Sequence, residues 1–329
     1  MKNKEKDIKY CGVSKSKIRN AEPILDEEIL NTLFYWIKER YTIHIKKDVL
    51  EKKGELTNDP ILKVYRFTNV RREHDKNTKW LIRNISTNNM ITYRDKVMNT
   101  ILFRLFSKYE TMEILGAPLK FSMTWSVKDA VKKLERHIKT DKEYHPFTGS
   151  FLTSGMIRTC TRRYPESKTN YEAVLRLVKE INDSSLFTDF ETANSQKEIY
   201  ELLCAFEGIS NFTAYQIFVD LTYIDEFPFS ENEFTVAGKG CIEGIDRLFE
   251  YKSKMNYEEC LFWVRDNWEN LNNCVRKENK IDLDKLMIDL KPSDRIMNVM
   301  SLENCFCELF KYTKVQRKEG RPRKVYKPR

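Results

Sequence analysis

Three stretches of this chain carry residue types that could do chemistry. The first is DPILKVYRFTNVRREHD (59–75), where Arg66, Asn69, Arg72 and Glu73 recur at spacings of three and four. On a helix that spacing puts positions 66, 69, 73 and 76 on one face. Arg71 and Arg72 have the fork geometry that holds a phosphate bidentately. Glu73 and Asp75 can bind an amine, or pair with the arginines as in an ordinary salt-bridged helix. The second stretch is SENEF (230–234). Glu231 is an acid of a type that could serve as a general base, or steady developing positive charge. Asn232 and Glu233 adjoin it, and a solvated acidic turn accounts for Glu233. The third is Gly208-Ile209-Ser210, set between two helical patterns in IYELLCAFEGISNFTAYQIFVDL. The glycine permits a tight turn, the isoleucine plugs between helices, and the free N–H groups opening the second helix, at Asn211, can hold a DNA phosphate. A plain turn between helices satisfies the same pattern.

Helices must position these residues, because helical periods dominate the chain. Residues 26–47 place Ile29, Leu33, Trp36, Ile37 and Tyr41 on one face, with acids first and bases last as the helix dipole prefers. Asp59-Pro60 reads as an N-cap and first helical residue, and opens a helix in which Ile61, Val64, Tyr65 and Thr68 share a face. Further helices are expected at 92–109, 126–140, from 171, 194–206, 212–221, 256–272 and 301–312, whereas HPFTGSFLTSG (145–155) reads as a loop or short strands. Gly238, Gly240 and Gly244 mark a glycine-rich loop. The fold class is therefore mainly α. The organisation expected is a basic arm at 1–22, a helical body at 23–310 with packed lobes of about 23–165 and 166–310, and a basic tail at 311–329.

Composition narrows the classes. Among 329 residues, 19 Phe, 16 Tyr and 5 Trp supply ample core, and only 10 Gly and 9 Pro exclude collagen-like or linker-like chains. No run of apolar residues is long enough to span a membrane, and the basic N-terminus lacks the apolar centre of a secretory signal. The eight cysteines are scattered, the four histidines (His44, His74, His137, His145) are isolated in sequence, and no metal site is expected. The excess of 58 Lys+Arg over 49 Asp+Glu is uneven. The first 22 residues carry +4, the last 19 carry +8, residues 59–104 carry +6 and residues 223–310 carry −7. Basic ends and a basic segment suit a protein that meets a polyanion on one side; solubility alone would also explain basic tails.

DPILKVYRFTNVRREHD, HPFTGSFLTSG, FEGISNFTAYQIFVDL, SENEFTVAGKG and SLENCFCELFKY, in that order, resemble a DNA base hypermodification family. It is described both as the helical domain associated with 5-hydroxymethyldeoxyuridine DNA kinases and as α-glutamyl/putrescinyl-thymine pyrophosphorylases. The family is similar to helix-hairpin-helix DNA glycosylases, and the resemblance implies that helical fold in two packed lobes, although Ser210 and Asn211 depart from the usual hairpin residues. It occurs in phages, with relatives in some fungi. The cytoplasm of an infected bacterium is the implied location, or the nucleus of a eukaryote.

In the implied chemistry, hydroxymethyluracil in DNA is phosphorylated or pyrophosphorylated, and an amine from an amino acid or polyamine then displaces that group. No GxxxxGK[ST] occurs, and AGKG (237–240) lacks that spacing, so the displacement step is expected. The base would be flipped from the stack of double-stranded DNA. Gly208, Ile209, Ser210 and Asn211 would hold the backbone, and Arg66, Arg71 and Arg72 the departing (pyro)phosphate. Glu231 or Glu73 would deprotonate the amine, and Asn232, adjacent to Glu231, counts with them as a catalytic candidate. Asn69 and Asn232 would read the pyrimidine edge, with Tyr65 or Phe234 stacking on it. Glu303, Asn304 and Lys311 are secondary candidates, set against a helix that merely closes the core. No cofactor is expected beyond the amine co-substrate, and a separate P-loop DNA kinase is a possible partner. Base excision, or a DNA-binding subunit for such a kinase, are the alternative functions.

Overall fold

A computed structural model describes residues 22–121, 125–148, 153–320 and 322. Among these the chain forms sixteen α-helices and one two-stranded antiparallel sheet, so the fold is mainly helical. Of the described residues, those within 75–234 form one compact unit, and those before 75 and after 234 together form the other. These limits differ from the lobes read from the sequence. All of the basic arm but Glu22, and positions 321 and 323–329 of the basic tail, lie outside the described residues, as do 149–152 of HPFTGSFLTSG.

The discontinuous unit opens with strand β1 (Ile24–Leu25) and helix α1 (Glu27–His44). Asp26 caps α1, its carboxylate accepting from the N–H groups of Glu28 at 2.9 Å and Ile29 at 3.0 Å. Ile29, Leu33, Trp36, Ile37 and Tyr41 are all buried, as their spacing predicts. The helix runs on into a π-helical turn at Ile45–Val49. Helix α2 (Pro60–Val64) starts at the expected cap, with Asp59 accepting from Ile61 N–H at 2.9 Å and Leu62 N–H at 2.7 Å.

The continuous unit holds α3 (Lys76–Leu81), α4 (Tyr93–Phe106), α5 (Tyr109–Leu115), α6 (Val127–Thr140) and α7 (Thr153–Arg163), then α8 (Asn170–Asp183), α9 (Leu186–Thr192), α10 (Gln196–Cys204) and α11 (Asn211–Leu221). Thr92, Ser126, Thr169, Ser195 and Ser210 cap five of them through their hydroxyls. Helices α4 and α11 are joined by a buried, two-pronged ion pair: Arg104 Nε donates to Asp220 Oδ2 at 2.6 Å and its terminal nitrogen to Oδ1 at 2.7 Å. Lys96, fully buried on α4, reaches Glu226 at 2.7 and 2.8 Å. Charges so desolvated persist only because each meets its partner.

The chain then returns to the first unit through α12 (Lys239–Leu248), β2 (Phe249–Tyr251), α13 (Tyr257–Asp266), α14 (Trp268–Cys274), α15 (Leu283–Leu286) and α16 (Val299–Gln316). Strand β2 pairs with β1, Ile24 opposite Tyr251 and Leu25 opposite Phe249. One apolar core gathers α1, α12, α13, α14 and α16, with Trp36, Leu248, Leu302, Phe306 and Leu309 at its centre.

The glycine-rich segment is not a loop. Gly240 and Gly244 lie within α12, on the face pressed against α16. A Cβ at Gly240 would stand 2.5 Å from Cys307 Sγ, and one at Gly244 would overlap the main-chain carbonyl of Phe306. A backbone atom cannot swing aside as a side chain can. Gly244→Ala should therefore lower unfolding stability by about 3 kcal/mol through overpacking, read as a fall in the denaturant midpoint; an unchanged midpoint would show that α12 and α16 can separate freely.

Candidate functional site

In the discontinuous unit the residues of 65–74 meet α16. The single helix expected from Asp59 onwards does not form. Tyr65 is already extended (φ −108°, ψ 146°), and a 3₁₀ turn at Arg72–His74 follows. The reason lies in the partners on offer. Glu308 accepts from the Thr68 N–H at 3.2 Å, and Asn304 donates to the Asn69 carbonyl at 2.8 Å while accepting from the Thr68 hydroxyl at 3.1 Å. Lys311 donates to the Arg66 carbonyl at 2.5 Å. Main-chain groups that a helix would pair internally are paired by α16 instead, and β-branched Val64, Thr68 and Val70 have little helix propensity to oppose it. The shared face of 66, 69, 73 and 76 is therefore lost. Arg66 is exposed, whereas Asn69, Arg71 and Arg72 are buried and Tyr65 is half-buried at the core's edge.

Arg71 is committed within its own unit, to Glu73 at 2.6 Å and to the Ile296 carbonyl at 2.8 Å. Helix α16 closes the core, as the alternative reading of SLENCFCELFKY held, and its polar side chains also hold the 66–69 segment. Glu303 is the most perturbed acid on it. Burial pushes its carboxyl up to about 7, against the pull of the Gly238 N–H, 3.3 Å away, and of the Arg72 charge. A carboxyl poised near neutrality can give or take a proton at working pH.

Two histidines 30 positions apart in sequence come together in the same unit. The imidazoles of His44 and His74 stack with centroids 3.9 Å apart and planes 11° from parallel. Both address Asp289 Oδ2, His44 Nε2 at 2.9 Å and His74 Nε2 at 3.2 Å. Burial disfavours a charged His44, but its hydrogen bonds to Asp289 and Asp48 outweigh this and raise its pKa. Asp289 is also desolvated, yet the bonds from His44 and Tyr41 hold its carboxyl down at about 2.

In the continuous unit, α10 and α11 form the expected hairpin. Gly208 sits at φ +113°, in the left-handed region that favours glycine, and its bare Cα packs against Leu177 and Cys160. Ile209 is buried, and Ser210 caps α11 by accepting from the Thr213 N–H at 3.2 Å. Ser210 and Asn211 are exposed at the tip. Helix α7 flanks this turn. Arg163 and Arg162 reach Glu207 at 2.7 and 3.5 Å, and an open depression beside them is lined by Ser154, Ile157, Arg158, Thr161, Arg162 and Asn170. Segment charge counts missed these arginines; the four-residue spacing of Arg158 and Arg162 in MIRTCTRR was the available signal. Glu231 and Asn232 are half-buried, Glu233 accepts from Gln196 at 3.0 Å, and Phe234 belongs to an aromatic cluster with Tyr200, Tyr215 and Phe218. The predicted site residues thus fall in two groups: 65–73 in the discontinuous unit, and 208–211 with 231–234 in the continuous one.

Residues 27–321 match the family described as the 5-hmdU DNA kinase helical domain, and the chain belongs to that family. A 5-hmdU DNA kinase of Bacillus phage SP10 is 24% identical over 324 residues, an alignment covering 93% of this chain and 48% of the phage protein. The chain thus spans about half the length of that curated relative. No solved structure matches. Among the described residues no helix is long and apolar enough to cross a membrane.

The buried Glu303 makes a pH prediction. Its folded pKa lies above that of the unfolded carboxyl, so its stabilising contribution is complete at low pH and is lost as pH rises towards about 7. Relative to Glu303→Gln, the protein as it stands should lose up to about 3 kcal/mol of stability between acid and mildly alkaline pH, measured by urea unfolding at each pH. Parallel stability curves would mean that Glu303 does not titrate in this range.

Proposed function

We propose that this chain acts on a modified thymine in DNA during thymine hypermodification. Its reaction, in this reading, replaces the (pyro)phosphate of 5-(pyro)phosphomethyl-deoxyuridine with an amine from an amino acid or polyamine. The observation that carries the DNA-binding part is the α10–α11 hairpin, whose exposed tip at Ser210 and Asn211 lies beside the cationic α7. Main-chain N–H groups and arginines are the groups that grip a phosphate backbone without reading sequence. Membership of the 5-hmdU kinase helical family supports a modified uracil as the base.

The choice of step rests on what the glycine-rich segment does. Gly240 and Gly244 pack α12 against α16, so the segment nearest in sequence to a nucleotide loop serves as a structural seam. Amine displacement needs no nucleotide. It needs a base for the incoming amine and positive charge where the anion departs. Glu231 is the proposed base, with Asn232 beside it in the continuous unit. Phe234, in the same continuous unit, is the proposed residue to stack on the base, whereas Arg71, buried against Glu73 and the Ile296 carbonyl in the discontinuous unit, is not carried into this site. A second reading, the DNA-binding part of a kinase system, is favoured by the alignment covering half of a phage kinase.

Duplex DNA carrying pyrophosphomethyl-deoxyuridine, incubated with mixed amino acids and polyamines and digested for mass spectrometry, separates the readings. An aminated thymidine is the expected product. Unchanged DNA that is nonetheless bound would favour the kinase-associated role, and released free base would favour excision. Glu231→Gln should reduce turnover about 100-fold or more while leaving DNA affinity intact; full activity would remove Glu231 from the mechanism.

A further inference from the structure

The stacked histidines of the discontinuous unit have no part in the proposed reaction, and their geometry points elsewhere. His44 ends α1, His74 ends the 3₁₀ turn, and Asp289 lies in the segment after α15. One donor atom from each lies within 4.8 Å of the other two. The two imidazoles are buried, and the Asp289 side chain is only 12% exposed.

We propose that His44, His74 and Asp289 bind one divalent transition-metal ion of the borderline class that includes Zn²⁺. Two imidazole nitrogens and one carboxylate oxygen are the donor set such ions take. Bonds of about 2.0–2.2 Å in a tetrahedral arrangement set neighbouring donors about 3.3 Å apart. The observed separations from Asp289 Oδ2, 2.9 Å to His44 Nε2 and 3.2 Å to His74 Nε2, are close to that spacing. Three protein ligands leave at least one coordination position for water or a substrate oxygen.

The surroundings are built like an outer coordination shell. Asp48 Oδ2 lies 2.9 Å from His44 Nδ1, so a ring bound to an ion through Nε2 would keep its proton on Nδ1 and donate it to Asp48. Tyr41 donates its hydroxyl to the other oxygen of Asp289 at 2.8 Å and so fixes the carboxylate. The Tyr41 ring stands edge-on to both imidazoles, at 5.6 and 5.5 Å, and the two near-parallel rings would splay apart to bring their in-plane lone pairs onto one ion. An ion at this point would take the place of a proton on His44 Nε2, which otherwise faces Asp289 Oδ2 at 2.9 Å.

This inference is independent of the reaction proposed above. Its test uses the full chain, stripped with a chelator and titrated with Zn²⁺ by calorimetry, then with Co²⁺ by absorbance. One equivalent should bind, and the cobalt spectrum should lack the thiolate charge-transfer band that binding at cysteine would give. Asp289→Asn should weaken binding at least about 10-fold, and Asp48→Asn, which removes only the outer partner, about 10- to 100-fold. His74→Ala should abolish it. Circular dichroism of each metal-free variant controls for folding, and Asp289→Asn, which preserves side-chain size, decides the matter if the histidine variant is unfolded. No stoichiometric binding by the unaltered chain, a thiolate band, or undiminished binding by Asp289→Asn would each overturn the proposal.

Discussion

The closeness of α12 to α16 is the constraint on which the discontinuous unit depends. Two glycines let the helices approach until a Phe306 carbonyl occupies the place of a side chain. That approach fixes where α16 lies, and α16 has two tasks. Its apolar residues, Leu302, Cys305, Phe306 and Leu309, complete the core. Its polar residues, Asn304, Glu308 and Lys311, take the main-chain groups of 66–69 and hold that stretch out of helical form. A side-chain partner outcompetes a helical hydrogen bond here because the segment's own propensity is weak and the partner is already immobilised in a packed helix.

Burial then decides the electrostatics. Once α16 covers the 65–74 segment, Arg71, Arg72 and Glu303 are removed from water and must find charge partners or neutralise. Arg71 finds Glu73. Glu303 stays close to neutrality, with a pKa of about 7, because Gly238 and Arg72 only partly compensate its desolvation. The continuous unit solves the same problem at Arg104 and Asp220 by a two-pronged pair. Its α7 cations, by contrast, stay near the surface beside the hairpin, with Arg162 and Arg163 reaching Glu207.

Much of this architecture was legible in the sequence where the signal was local. The caps at Asp26 and Asp59, the apolar face of α1 and the turn at Gly208 follow from neighbouring residues alone, and each forms as its spacing requires. What the sequence concealed was the competition between distant partners. Nothing near Tyr65 announces that Glu308 and Asn304 will claim its neighbours' backbone. Nothing near Gly244 says that its missing side chain makes room for a helix some sixty residues on. His44 and His74, isolated in sequence, stack only because the end of α1 and the 3₁₀ turn converge. The candidate residues could be named by type, but their burial could not be foreseen.

The central claim is that the α10–α11 hairpin and the arginines of α7 together hold the DNA backbone. The most direct measurement is the salt dependence of duplex affinity, by fluorescence anisotropy, for the unaltered chain and for Arg158→Ala/Arg162→Ala. Each lost phosphate contact should lower the slope of log affinity against log salt by about 1, so the double variant should lose up to about 2 in slope while its weakening is the same on unrelated sequences. An unchanged slope and affinity would contradict the account and place the DNA elsewhere on the protein.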